Sequence, residues 1–530
     1  MRVDEHTSGL PALARRAGPT ALAAALAIGY LIAQPRSADL AAALLRVKLF
    51  GAEGFGLWDN WWFAGHYLPS YSVLFPALGW LAGPRLLAAV AAVLAAASFE
   101  ALARGRFGSR AWLGAAWFGA ATVTPLLSGR LTFALGLLGA LATALALQRG
   151  RPWAAATAAF LTALASPVAA LFAALAGAAH ALNGPRAHAR SGAAVVVAGL
   201  LPVALLALAF PEGGHEPFAF SALWPIPLIG AGLLLAAPGG ERALRAGIAL
   251  YVTGCLLAYA LPTPVGGNAA RLGALAAGPI AALLLYPRRL RLLLACAPAL
   301  VYLQWHAAIA DVAAAQSDPS TTAAYYRPLV GFLERAGRAG GDLFRIEIPF
   351  TVDHWEAYEV APRFPLARGW ERQLDIADNA LFYRPGALTP TRYDAWLHAL
   401  AVRFVALPDA RLDRSARAEA ALIRSRPRFL TLVFASRHWR VYAVANPAPL
   451  ASGAARLTSL GPDSATLRAD RPGRTLVRIR WSPYWRLADL PGCVAPAGRF
   501  LAVTVARAGT ARLVIDFAPG RIGARSPRCG

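Results

Sequence analysis

Hydrophobic positions change their spacing once along this chain. From residue 19 to about 309 they form Ala, Leu and Val runs broken by short Arg, Gly and Pro punctuation, whereas residues 310–530 read as a water-soluble sequence. Apolar segments lie at 19–34, 84–103, 111–127, 131–148, 153–182, 191–210, 222–237, 243–261, 270–286 and 291–309, to be set against the ~20 residues that span a bilayer as a helix. The fifth is too long for one helix. Ser166-Pro167 near its middle predicts a break or tight hairpin, because proline lacks an amide donor and clashes with the preceding turn. Crossing twice there gives eleven crossings. It also places Arg104, Arg106, Arg110, Arg149, Arg151, Arg186, Arg190, Arg242, Arg245, Arg288, Arg289 and Arg291 on the side of the N-terminus with Arg2, Arg15 and Arg16, leaving Arg130 as the exception opposite. The positive-inside bias then predicts a cytoplasmic N-terminus and an outer C-terminal half. The first segment has a second reading as a signal peptide, although no small-x-small cleavage site leads from it into a soluble domain.

The soluble half alternates helix-like and strand-like stretches. The segment at 326–338 reads as an amphipathic helix, 342–350 as a strand, 391–402 as a helix entering the strand 403–408, and 429–445 as a β-hairpin. Past a Pro/Ala linker at 446–454, short β-rich runs separated by turn signals predict a small β-sandwich. The expected fold class is thus a polytopic α-helical membrane domain followed by an extracytoplasmic α/β plus β-sandwich region. Its parts are a cytoplasmic tail 1–18, a transmembrane domain 19–309 with a large outer loop 35–83, an α/β domain 320–446 and a β-rich domain 454–530.

Composition agrees with the membrane reading: 57% of the 530 residues are hydrophobic and only 15% charged, with a mean hydropathy of +0.47. The net charge of +24 comes from singly scattered arginines rather than a basic stripe, which argues against nucleic acid. Arg and Ala richness suits a bacterial chain and localisation to the cytoplasmic membrane. Cys255 and Cys296 sit in apolar runs as small core residues. Cys493 and Cys529 lie in the half expected to see an oxidising compartment, where a disulfide between them is predicted. No zinc-type spacing exists, and the soluble half carries no nucleophile motif, P-loop or dinucleotide fingerprint.

The candidate chemistry gathers in the first outer loop, which packs Glu53, Trp58, Asp59, Trp61, Trp62, His66 and Tyr67 into fifteen residues. A carboxylate beside indoles suits a sugar site: the acid takes a proton from a hydroxyl nucleophile or holds a metal, and indole faces cover the ring C–H faces. Interfacial tryptophans and a capping acid are the plain alternative. Other loops expected on the same side carry Glu212, His215 and Glu216, read as solvated, and Asn268 with Arg271. Arginine at the outer end of a helix matches phosphate oxygens or snorkels to headgroups. Asp353-His354-Trp355 and Arg368-Gly369-Trp370 read as ordinary loop or core rather than as a carbohydrate surface.

The order of these features, from a first helix through WFAGHYLP and YSVLFPALGWLAGP to an outer C-terminal domain, resembles the GT-C superfamily of polyprenyl-phosphate-sugar-dependent membrane glycosyltransferases. More narrowly, the loop after the first helix and ALASPVAAL are similar to the bacterial membrane family named for a relation to 6-pyruvoyl-tetrahydropterin synthase, a name that states no activity. Ser166 stands where that family often has histidine. The terminal TLVRIRWSPYWRLADLPG and VTVARAGTARLVIDFAPG resemble the end of GT-C-related proteins of lipoteichoic acid glycosylation. The resemblance implies sugar transfer from a polyprenyl-phosphate donor to a cell-envelope glycan, lipid or protein acceptor. It carries the superfamily's loop acid onto Asp59, with Glu53 second, and the contiguous acidic pair common there is absent. No cofactor is required by any motif, a divalent metal at the loop acid being the one candidate. A transporter or flippase of an envelope precursor, or a non-catalytic assembly factor, are the competing classes; no internal repeat favours the transporter.

The arginine asymmetry is testable directly. Protease added to intact spheroplasts is expected to cleave within 310–530, and protection of that half would overturn the eleven-crossing topology.

Overall fold

The computed structural model describes residues 9–341 and 343–530. Residues 1–8 of the expected tail, Arg2 among them, lie outside the described residues, and the first helix, Gly9–Ala33, already takes in the remainder of that tail. The chain divides into two discontinuous units: Met1–Ala43 with Tyr71–Leu205 and His215–Ala314, and Leu44–Ser70 with Leu206–Gly214 and Ala315–Gly530.

The first unit is helical. Among the described residues six helices are long and apolar enough to cross a membrane, or seven if the bent pair Gly18–Ala33 and Ala38–Glu53 forms one span. Eleven crossings are therefore not supported, and the reason is length. The stretch read as two crossings at 153–182 forms helices Pro152–Ala165 and Pro167–Ala181, and at 1.5 Å per residue a fourteen-residue helix covers about 21 Å of a ~30 Å core. Segment 222–237 is likewise short, and 84–127 divides at Gly108 into the long helix Pro84–Phe107 and the short helices Trp112–Ala121 and Thr124–Leu127. The break expected at Ser166-Pro167 is present. Ser166 is extended, and its hydroxyl accepts from the Ala169 amide at 3.4 Å. Carbonyls left over at the end of Pro152–Ala165 find donors elsewhere: the Ser72 hydroxyl donates to Ala165 O at 2.7 Å, and the Val73 amide to Leu164 O at 2.8 Å. This closes the hydrogen-bond deficit that a broken helix leaves in apolar surroundings. The segment expected as loop 35–83 is largely structured, with Ala38–Glu53 and Leu74–Ala82 helical.

The second unit carries the sheets. Arg345–Glu347 pairs in parallel with Val402–Pro408, which pairs antiparallel with Trp439–Val444 and that in turn with Leu430–Ala435. Helices Ala323–Gly340, Pro390–Ala399 and Arg417–Arg424 connect or flank these strands. The C-terminal region forms two sheets. One runs in the order Arg528–Cys529, Gly492–Ala497, Phe500–Val505, Gly473–Arg480, Ala451–Gly453, and the other Trp485–Ala488, Gly509–Ile515, Ser464–Ala469, Ala455–Leu460. Val477, Leu501 and Val503 of the first share one buried core with Leu467, Trp485 and Leu513 of the second. Cys493 and Cys529 face each other across the edge pair and are joined by a disulfide.

Residues 44–70 are built into this unit rather than looping free. Trp58–Asp59 and His66–Tyr67 form a two-stranded ribbon, and Trp58 and Tyr67 belong to the sandwich core. The Trp58 ring meets Tyr67 at 4.9 Å and Trp485 at 5.8 Å, both edge-on. Main-chain bonds strap the ribbon down: Asn60 N to Pro462 O at 2.7 Å, Arg480 N to Ala64 O at 2.7 Å and Leu366 N to Trp61 O at 2.8 Å. The connecting turn holds Phe63 and Ala64 in the left-handed region before Gly65, conformations costing ~1–3 kcal/mol each for such residues unless packing imposes them. A β-carbon at Gly65 would meet the Trp58 indole.

Removing the indole tests this arrangement. Trp58→Ala is expected to cost about 3–5 kcal/mol, seen in the full chain as a lower melting temperature and new protease cleavage within 315–530. Unchanged melting and cleavage would show that the ribbon is not core.

Candidate functional site

The first-loop residues lie together, but sealed. Asp59 and His66 are 0% exposed, and Trp62 is buried with them. Asp59 Oδ1 accepts the Trp61 amide at 2.8 Å, while Asp59 Oδ2 lies 3.9 Å from His66 Nδ1 and His66 Nε2 lies 3.8 Å from Glu371 Oε1. Arg46 donates to Glu371 and its guanidinium sits over Trp62, whose ring stacks on His66 at 5.5 Å. Burial pushes the Asp59 carboxyl up to about 7, against the Trp61 amide and the Arg46 charge. Burial, reinforced by Arg46, holds His66 well below its usual range. With both near neutral, the ion pair of this group is Arg46–Glu371. A carboxyl with no exposed surface meets no acceptor hydroxyl, and the two buried tryptophans and Tyr67 offer no sugar platform: their work is packing. Trp61 is only half-buried and Glu53 exposed.

The other singled-out residues sort by unit. Glu212, expected to be solvated, has a side chain only 7% exposed that pairs with Arg480 at 3.0 Å and accepts the Tyr67 amide. Burial raises its carboxyl to about 7 despite Arg480. His354 stacks on Trp370 at 3.6 Å, and Arg368 pairs with Asp375 at 2.7 Å and Glu419 at 3.1 Å, all buried. Both motifs are core, as the residue reading favours. His215 and Glu216 belong to the first unit, where the Glu216 amide donates to Thr263 O at 3.0 Å, so the second and third outer loops pack together.

A different constellation forms in the first unit. Asp39 occupies the first turn of Ala38–Glu53, after a 79° bend from the preceding helix. Its carboxylate meets Arg130 Nε at 2.9 Å, the two side chains being 31% and 35% exposed. Close approach makes the pair possible: Gly129 has φ +75°, and a β-carbon there would collide with Leu40 N and the Ser37 hydroxyl. Arg271 sits over the Phe133 ring at 5.4 Å, and the charged and phenolic groups acting on it are Arg130, Asp39, Tyr71 and Glu216. Asp311 acts on the same Arg130. Asn268 stands in the short 3-10 turn Gly266–Ala269 just before Arg271.

Below these cations the surroundings turn apolar along two helices. Arg130, Phe133, Leu137 and Leu141 succeed one another at helical spacing on one face, and Leu137 and Leu141 line a cavity of about 830 Å³ that Leu272 and Leu275, following Arg271, also line. The cavity extends to Arg106, His180 and Glu241. Among the described residues no three His, Cys, Asp or Glu side chains converge as metal ligands.

Asp39 was not singled out in the sequence. An acid in the first turn of a helix reads as ordinary dipole compensation, so nothing local separates it from a cap. The signal lay elsewhere, in Arg130, an arginine that breaks the charge asymmetry of the short loops. No family model matches the chain, and no curated protein matches it significantly in sequence.

The buried carboxyl predicts a pH dependence. Asp59 ordinarily titrates at 3.8 and in the fold at about 7, so between these values the folded chain keeps a proton that the unfolded chain has released. Its contribution is full below about 4 and is lost as pH rises to about 7. Asp59→Asn is expected to raise the melting temperature relative to the parent most at pH 8 and clearly less at pH 5. An equal shift at both values would contradict the assignment.

Proposed function

We propose that the chain is a membrane glycosyltransferase of the GT-C type, moving a sugar from a polyprenyl-phosphate donor to a cell-envelope acceptor at the outer face. The observation that carries this reading is the pairing of Asp39 with Arg130, near Arg271, on helices whose following turns line the apolar cavity. The lipid chain occupies the cavity, and Arg271 and Arg130 hold the phosphate. As the phosphate enters it competes for the Arg130 guanidinium and frees Asp39 to act as base. The acceptor hydroxyl oxygen then bonds to the anomeric carbon while its proton passes to Asp39. The anomeric carbon–oxygen bond to phosphate breaks, and the electron pair leaves on the polyprenyl phosphate, whose charge the arginines take up. Asn268 is placed to orient the sugar or the Arg271 side chain. The same reading keeps residues 310–530 outside the bacterial cytoplasmic membrane as its finer claim, and moves the base from Asp59 to Asp39.

A second reading, a lipid-precursor flippase, draws on the extension of the cavity to Arg106, His180 and Glu241, since an apolar path between two polar ends is also what a translocator needs. Activity in detergent separates them, because transfer needs no bilayer and flipping does.

Asp39→Asn is expected to lower transfer from a polyprenyl-phosphate sugar by about 100-fold or more while melting stays unchanged, and Arg271→Gln to raise the donor KM. Asp59→Asn should retain transfer. Full activity of the Asp39 variant would remove the catalytic assignment, and loss confined to the Asp59 variant would return the base to the loop.

A further inference from the structure

The second unit holds an excess of buried positive charge that its own acids do not balance. Arg345 is 0% exposed. Its Nη1 donates to Leu400 O and its Nη2 to Arg478 O at 3.0 Å, both neutral carbonyls, and its Nε has no partner. The charges acting on it are Arg499 and Arg478, both of the same sign. Arg478 spends one terminal nitrogen on Pro449 O at 2.7 Å and Ser452 Oγ at 2.8 Å. Arg499, half-exposed, reaches Asp378 only at 3.9 Å, and Asp378 already pairs with Arg480 at 3.3 Å. Glu212, the other acid against Arg480, is the carboxyl that burial holds near neutrality. Arg480 and Arg499 thus share two acids, while Arg345 and Arg478 have no acid within ion-pair distance among the described residues. A guanidinium taken out of water without a counter-charge costs several kcal/mol, a cost that a bound anion would offset.

The geometry points to an oxyanion site, which we propose takes a phosphate group on Arg499 and Arg478, over the buried Arg345. The fork of each guanidinium matches tetrahedral phosphate oxygens, the strand Gly473–Arg480 fixes Arg478 and Arg480, and its cross-strand neighbour Phe500 fixes Arg499. Asp378 acts as the resident competitor, holding Arg480 and Arg499 when phosphate is absent. The site is independent of the transfer reaction proposed above.

Calorimetric titration of the detergent-purified full chain with inorganic phosphate tests it, against acetate at equal ionic strength. The Arg271→Gln background removes any phosphate bound at the lipid-phosphate site. Saturable phosphate binding is expected, weakened about tenfold or more by Arg499→Gln and strengthened by Asp378→Asn, with acetate binding much more weakly. The opposite signs of the two variants separate a binding role from general destabilisation, which would weaken both. Competition by phosphatidylglycerol vesicles would assign the phosphate to a lipid headgroup, and its absence to a soluble or polymer-borne group; either supports the site. No saturable heat, or binding unaltered by both variants, overturns it.

Discussion

The second unit depends on one act of burial: the indole of Trp58, carried on a segment far upstream, packs between Tyr67 and Trp485 in the sandwich core. An indole excluded from water is among the larger single hydrophobic contributions a domain can draw on. Everything around it is arranged to keep it there. The strained turn at Phe63 and Ala64, the clearance at Gly65 and the straps through Asn60, Trp61 and Ala64 have no evident purpose except holding the ribbon in register. The Arg46–Glu371 pair and the neutral Asp59 and His66 follow from the same burial, because polar groups carried into a core must pair or give up their charge.

The first unit obeys a different constraint. Its backbone must satisfy itself without water, so where Pro167 interrupts a helix the stranded carbonyls take donors from Ser72 and Val73. Charged side chains there carry a comparable cost, and Asp39 lies where its charge offsets those of Arg130 and Arg271. That the helices carrying Arg130 and Arg271 go on to line an apolar cavity is what gives the cluster a chemical reading and not merely a structural one.

How much of this was legible in the sequence follows from the range of the signals. The division into a helical and a β-rich half, the break at Ser166-Pro167, the amphipathic helix within Ala323–Gly340 and the hairpin of Leu430–Ala435 with Trp439–Val444 are local periodicities, and periodicity is what a sequence displays. Crossing number was overread, because apolar composition does not reveal that Pro152–Ala165 and Pro167–Ala181 are too short. The burial of the first-loop residues was hidden for a related reason. An acid among tryptophans looks alike whether the tryptophans face a sugar or a sandwich core, and only the distant partners Trp485, Glu371 and Arg480 tell the two apart. Asp39 drew no notice because its partners, Arg130 and Arg271, are equally remote along the chain.

The interleaving of the two units sets an order on biogenesis. Trp58 and Glu212 leave the ribosome well before Trp485 and Arg480, and at about 5–20 residues per second the wait lasts tens of seconds. During that interval an aromatic ribbon and a buried-to-be carboxylate are exposed while the helices between them are being inserted. A chain assembled in this sequence has reason to rely on a holdase or on the insertion machinery until its last strands arrive. Truncation near the C-terminus would then leave the early segments without a core, so that the loss of a few late strands is felt by residues made at the very beginning.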